Sequence, residues 1–294
     1  MKVVMSGASG LIGAALAEAL ASDGHEVVPL VRRQAGPGEA RWDPENGYVD
    51  LEGVRGVHAA VHLAGENVVG RWTAAKKQRI LRSRQQGTRT LAEALTGLDP
   101  RPRVLLSASG VNYYGDRGDE VLTEKSAPGE GFLAGVCREW EAATAPATSA
   151  GIRVANLRLG VVLSGKGGAI AKMRLPFGLG LGGRIGSGRQ WMSWIALDDA
   201  VAAFRHALSA DTLSGPVNTT SPNPVTNAEF TRTLARALRR PTFLAVPAFA
   251  LRIAFGQMAD ESLLSSVRAV PLSLLESGFQ FRYPSLDAAL RHVL

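Results

Sequence analysis

Gly7-Ala8-Ser9-Gly10-Leu11-Ile12-Gly13 is the stretch on which the fold turns. It follows a strand-like run, Lys2-Val3-Val4-Met5, and opens an Ala- and Leu-rich helical run, Leu11–Ala21, closed by Gly24 where a helix C-cap favours glycine. Strand, glycine turn and helix in that order make a site for a pyrophosphate. Glycines let backbone N–H groups approach the phosphates, and the helix N-terminus presents the positive end of its dipole. A third glycine lets the helix pack against the strand. Three glycines alone say little; in this context they imply a dinucleotide held by Gly7, Ser9, Gly10, Leu11, Ile12 and Gly13.

Working outward, Glu26–Val31 reads as the second strand. An NAD-binding unit usually carries a carboxylate near its end to hold the ribose 2′-hydroxyl. Here Val31 is followed by Arg32 and Arg33. Two guanidiniums suit a 2′-phosphate, which a carboxylate would repel, so the cofactor expected is NADP. Further strands are expected at Val57–Leu63, Arg103–Ser107 and Arg153–Leu159. A helix capped by Thr73 runs to Leu95, with Ile80, Gly87, Leu91 and Leu95 on one side. Short apolar runs alternating with helices imply an α/β fold, a parallel sheet covered by helices. From Leu163 the texture changes. Residues 165–188 hold nine glycines and read as loop with a short helix near Ile170–Pro176, while Trp194–Leu208 returns to strand then helix and Pro216–Thr219 to strand. Asn227–Leu238 reads as a helix, followed by short ones separated by prolines.

Composition narrows the classes. Hydrophobic content is 46% with 20% charged residues, ordinary for a globular protein. No apolar run reaches the ~18 residues of a membrane span, and the N-terminus does not read as a signal peptide, so neither membrane partner nor export is expected. One cysteine, Cys137, leaves no internal disulfide or cysteine-based zinc site, which fits a cytoplasmic protein; no metal is expected. The net charge of +7 includes a basic run between Arg71 and Arg89. No aromatic platform accompanies it, so nucleic acid is not expected; the run reads as a solvated helix face or as a site for an anionic small molecule.

At this point the residues resemble a known group. Gly7–Gly13, His62-Leu63-Ala64-Gly65, Ser107-Ala108-Ser109 and Tyr114-Gly115 resemble the extended short-chain dehydrogenase/reductase superfamily. Within it the chain is similar to the "epimerase family protein" or nucleoside-diphosphate-sugar epimerase branch. Leu63–Asn67, Ser83-Arg84, Trp140-Glu141, Arg158–Leu163, Gly186-Ser187-Gly188 with Trp194-Ile195, and Thr226–Phe230 carry that closer likeness, across almost the whole chain. The resemblance implies a Rossmann-like doubly wound parallel sheet with a smaller C-terminal α/β substrate subdomain. Residues 1–165, with 194–220 returning, would bind NADP; 166–193 and 221–294 would bind substrate. It implies that Leu63 and Ala64 pass under the adenosine ribose and pyrophosphate, and that Gly65 also binds the cofactor. It places Ser107, Arg84 and Val162 beside the cofactor, and Trp42-Asp43 near the adenine or on the surface. A homodimer is common in the superfamily.

The resemblance breaks at the chemistry. The superfamily uses Ser or Thr with a Tyr-x-x-x-Lys pair, in which Lys lowers the Tyr pKa. Ser109 matches the Ser, but Phe132–Glu141 offers an apolar residue at the Tyr position and Val136 or Cys137 at the Lys position. An unassisted Tyr, with pKa near 10, is handicapped by ~4 kcal/mol at pH 7. Tyr113 and Tyr114 are candidate replacements as acid/base, or packing residues. Glu66 is a candidate carboxylate on the substrate side, or a structural residue; Arg158, Gln190 and Trp191 are candidates for substrate binding. Two readings stay open: an NADP-dependent oxidoreductase or epimerase-like enzyme acting on an anionic, nucleotide-linked small molecule, or a non-catalytic NADP-binding sensor or scaffold.

Overall fold

In the computed structural model, which describes residues 1–294, β1 (Lys2–Ser6) lies between β2 (Glu26–Val31) and β5 (Ala59–His62). The register sets Val3 opposite both Val27 and Ala59. Beyond β2 come β3 (Ala40–Asp43) and β4 (Tyr48–Val49); beyond β5 come β6 (Val104–Gly110), Arg153–Leu159 and Gly215–Thr219. All neighbours in this eight-stranded sheet are parallel except β3 and β4. The strand order reverses between β1 and β5, and such a switch point opens a crevice at the C-terminal strand ends.

Both faces of the sheet are covered, which is why its central strands carry unbroken apolar runs, Val3-Val4-Met5, Ala59-Ala60-Val61 and Val104-Leu105-Leu106. On one face Val3, Met5, Val61 and Leu106 meet Leu16 and Leu20 of α1 (Leu11–Ser22) and Phe204 of the helix Leu197–Ser209. On the other, Val4, Val28, Ala60 and Leu105 meet Leu91 and Leu95 of α2 (Ala74–Thr96). Each fully buried Leu or Val contributes about 1.5–3 kcal/mol, so both helices are firmly fixed over the crevice. The Thr73 side chain accepts the Lys76 N–H and starts α2, as its sequence position predicts.

The C-terminal part has its own core, in which Ile170, Phe177, Trp194, Phe230 and Leu290 meet. Its strands are short pairs: Val161–Leu163 with Trp194–Ala196, Gly183–Ile185 with Leu244–Val246, and Trp191–Met192 with Val225–Thr226. The helix expected near Ile170–Pro176 runs from Gly168 to Gly178, because the N–H groups of Leu179 and Gly180 close back on the Leu175 and Phe177 carbonyls. The β3–β4 hairpin was not expected. No helix is long and apolar enough to cross a membrane.

Candidate functional site

The glycine turn is built as tightly as a phosphate loop requires. Gly7 has φ +72°, and a Cβ there would stand 2.7 Å from the Leu63 carbonyl carbon and 2.8 Å from the Ala64 nitrogen. A Cβ on Gly13 would stand 2.1 Å from the Gly7 oxygen, so only glycine lets α1 start this close to β1. Over the turn lies a cleft of about 1000 Å³. Gly7, Ser9 and Gly10 line it with Leu63, Ala64, Gly65 and Glu66. Trp42 and Asn46, from the β3–β4 hairpin, line it too. So do Arg79, Arg82, Ser83 and Gln86, whose i, i+3, i+4, i+7 spacing is one face of α2. Leu11 and Ile12 instead pack against the core below.

Arg32 and Arg33 both border the cleft, yet the structure separates them. Arg33 donates from two nitrogens to Glu39, at 2.7 and 2.6 Å. That pairing raises the Arg33 pKa and lowers that of Glu39. Arg32 is exposed, with no hydrogen bond or ion pair for its side chain. Arg82 is likewise exposed and in no ion pair. Glu66 accepts Lys76 Nζ at 2.6 Å and has Arg79 at 3.7 Å; the Lys76 hydrogen bond, foremost, holds its carboxyl below the usual range. It is engaged as a salt-bridge carboxylate on the cleft wall.

Beneath the Leu63–Glu66 loop sits a second set. His62 is fully buried, 2.7 Å from Ser6 Oγ, and Ser6 Oγ accepts the Ala64 N–H. Burial, with the Arg84 charge adding to it, pushes His62 down to about 3, so it is neutral. Arg84 donates to the Glu66 and Ile80 carbonyls, and its guanidinium meets the position of a Gly65 Cβ at 3.2 Å. Its Cζ lies 4.8 Å from the Trp140 ring centre. Burial lowers its pKa but leaves an arginine protonated. Arg84 therefore holds the loop backbone from below.

At the end of β6, Ser109 is only 3% exposed and donates to Glu141 Oε1 at 2.7 Å. Glu141, on α3 (Phe132–Ala142), also accepts from Arg158 Nε and Nη2, at 2.7 and 2.8 Å. Arg158 donates further to the Tyr114 hydroxyl at 2.9 Å, and its Cζ lies 3.4 Å from the Tyr113 ring centre. Burial opposes the Arg158 charge, but Glu141 outweighs it and raises the pKa.

This network redistributes the candidate roles. The charge of Arg158 is matched by Glu141, so it holds Ser109 in place indirectly rather than awaiting an anion. Tyr114 is fully buried, its hydroxyl within hydrogen-bond reach of Asn218 Oδ1 at 2.7 Å, and burial raises its pKa. That is a packing environment. Tyr113 is half-buried, with no hydrogen bond to its hydroxyl. Ser107 is buried with a weak bond to the neighbouring Ala108 carbonyl, and Val162 is half-buried on the strand paired with Trp194–Ala196. Gln190 donates to the Ile185 and Leu263 carbonyls and ties loops together. Trp191 donates to Asp119 and stacks beneath Arg268. Neither is aimed at the glycine cleft. Cys137 is buried close to Ser109, and burial pushes its thiol up to about 11, so it is an inert small hydrophobe. No group of three or more His, Cys, Asp or Glu could hold a metal.

Sequence reading missed Glu141 as a partner of Ser109, and took the basic run Arg71–Arg89 as a whole without singling out the α2 face that lines the cleft. The second was findable, because Arg79, Arg82, Ser83 and Gln86 repeat at helical spacing. The first was not, because it needs β6, α3 and the strand Arg153–Leu159 in one place.

Comparisons with known proteins agree with this geometry. The sequence pattern of the NAD dependent epimerase/dehydratase family matches residues 3–219, and that of a domain of unknown function (DUF1731) matches residues 246–293. The chain is 47% identical over 290 residues to the Epimerase family protein Mb2239 of Mycobacterium bovis, spanning 98% of this chain and 96% of that one. The crystal structure of human epimerase family protein SDR39U1 (isoform 2) with NADPH superimposes with a TM-score of 0.92 at 36% identity, covering 100% of this chain and 99% of that one. A nucleoside-diphosphate sugar epimerase from Corynebacterium glutamicum superimposes with a TM-score of 0.84 at 39% identity, covering all of this chain and 58% of the other.

Proposed function

This chain belongs to the NAD dependent epimerase/dehydratase family, and on that premise we propose that it is an NADP-dependent oxidoreductase or epimerase-type enzyme for an anionic, nucleotide-linked small molecule. The observation that carries the cofactor choice is Arg32, standing unpaired at the end of β2 on the rim of the cleft. The human relative solved with NADPH supports the same choice. The residues fit such a group: the glycines keep clear the space a Cβ would fill, and Arg32 and Arg82 offer unpaired charge to phosphate.

NADP, when bound, supplies or takes the hydride. The proton is handled by the chain. Ser109 has one proton, and it is committed to Glu141. Its free lone pairs therefore favour accepting a hydrogen bond from a substrate hydroxyl over donating one to a carbonyl. Arg158 donates to both Glu141 oxygens and so fixes that polarity. Tyr113, with its ring against Arg158 and its hydroxyl unbonded, is the acid/base candidate.

Incubation with 4-deuterated NADPH and a panel of ketones, aldehydes and nucleotide sugars tests the reading: deuterium should appear on a substrate carbon. Failure across the panel would favour the second reading, an NADP-binding sensor or scaffold. One observation supports that reading: Val136 and Cys137, one of which would by resemblance stand at the position of the catalytic lysine, are both apolar and buried on α3.

A further inference from the structure

Residues 166–190 and 230–259 hold ten of the 33 Lys and Arg residues and none of the 26 Asp and Glu residues. With a net charge of +7 for the whole chain, everything outside these two stretches is slightly acidic. The fold brings the stretches together. Strand Gly183–Ile185 pairs with Leu244–Val246, and a Cβ on Gly186 would touch Ala248 at 3.8 Å. All ten basic side chains are exposed, and only Arg252 has a carboxylate partner, Asp260.

The same lobe exposes large apolar side chains. Phe243 is 92% exposed, and Leu175, Ile253 and Phe249 are each more than 60% exposed. The helix Ala248–Phe255 has no buried residue at all. Phe249 and Ile253, one turn apart, project outward beside Arg252. Apolar side chains next to unpaired cations, on a helix that contributes nothing to the core, match the chemistry of a helix lying in a lipid headgroup region. A soluble monomer gains nothing from leaving such groups in water.

We propose that this lobe seats the protein on an anionic lipid surface. The occupant follows from the charge: a second copy would set ten cations against ten, while anionic headgroups supply what the lobe lacks and acyl chains cover what it exposes. The helix Gly168–Gly178 starts against Leu11 of the glycine motif, and Arg71, two residues before the Thr73 cap of α2, donates to the Ile253 carbonyl, so the lobe touches the elements that carry the cleft. No membrane partner was expected from the sequence, because peripheral docking needs no spanning segment. The proposal does not depend on the cofactor or the reaction.

Co-sedimentation of the full chain with vesicles of phosphatidylcholine alone, or of equal parts phosphatidylcholine and phosphatidylglycerol, tests it. Binding is expected to the second only, and is released at about 0.5 M salt, where the Debye length falls to roughly 4 Å. At about fivefold per basic residue, Arg239→Ala with Arg240→Ala should weaken binding roughly 25-fold. Phe249→Ser with Ile253→Ser should weaken it as well, and both variants should melt with the parent because these side chains are exposed. Lack of binding to the anionic vesicles, equal binding to neutral ones, or insensitivity to both variants overturns the proposal. Binding to polyglutamate without binding to vesicles would point to an acidic protein instead, and self-association lost in the same variants would point to a second copy. Either result also overturns it.

Discussion

Replacing Glu141 with alanine should be among the most damaging single changes in this protein. The side chains of Arg158 and Glu141 are 3% and 13% exposed, so the pair is cut off from water. Removing one partner of a buried pair costs about 3–5 kcal/mol, because the other charge is left uncompensated. After Glu141→Ala, Arg158 keeps only the Tyr114 hydroxyl and the face of Tyr113, and Ser109 loses its acceptor. An unfolding entropy of about 2.1 cal/mol/K per residue gives roughly 0.6 kcal/mol/K for a chain of this length, so the midpoint should fall by about 5–8 °C. Circular dichroism melts without cofactor, which would otherwise stabilise the folded state, read this directly. Glu141→Leu combined with Arg158→Met removes both charges and should cost far less, about 1–2 kcal/mol or nothing. If Glu141→Ala alone melted within about 2 °C of the parent, the network would not be the buried, mutually dependent unit described.

Three further outcomes follow from the same structure. His62, neutral and held down to about 3, takes up no proton in the fold while the unfolded chain does so below about 6.5. Stability should therefore drop by about 1.4 kcal/mol per pH unit between those values, and urea titrations of His62→Asn should lack that slope. Cys137, pushed up to about 11, should resist iodoacetamide at neutral pH until the chain is unfolded, as a mass measurement after labelling would reveal. Two glycines should respond in opposite ways. Gly13→Ala, with its Cβ 2.1 Å from the Gly7 oxygen, should cost at least about 1–3 kcal/mol and weaken cofactor binding. Gly87→Ala, inside α2 with its nearest neighbours at ordinary contact distance, should gain about 0.5–1 kcal/mol in a thermal melt.

Much of the fold could be read from local signals. Glu26–Val31 and Arg153–Leu159 appear with the expected bounds because short, apolar-rich runs between turn residues favour strands over helices. The β3–β4 hairpin escaped notice because its strands are four and two residues long. The polar α2 face was hidden by its composition, since arginines on a basic helix read first as a solvated surface. The chemistry near Ser109 was the least legible. Trp140-Glu141 and Arg158 stand out in the sequence, but nothing in their spacing says that one neutralises the other. Arg32 and Arg33 looked equivalent until Glu39, six residues beyond Arg33, proved to occupy only one of them.

The measurement that bears most directly on the cofactor is titration calorimetry of NADPH and NADH against the parent and Arg32→Ala. We expect the parent to prefer NADPH. Arg32→Ala should lose roughly 10- to 100-fold for NADPH, the loss of a charge-assisted phosphate contact, and change little for NADH. Equal affinities of the parent for the two nucleotides, or an NADPH affinity untouched by Arg32→Ala, would contradict the assignment of Arg32 to a 2′-phosphate and with it the NADP site.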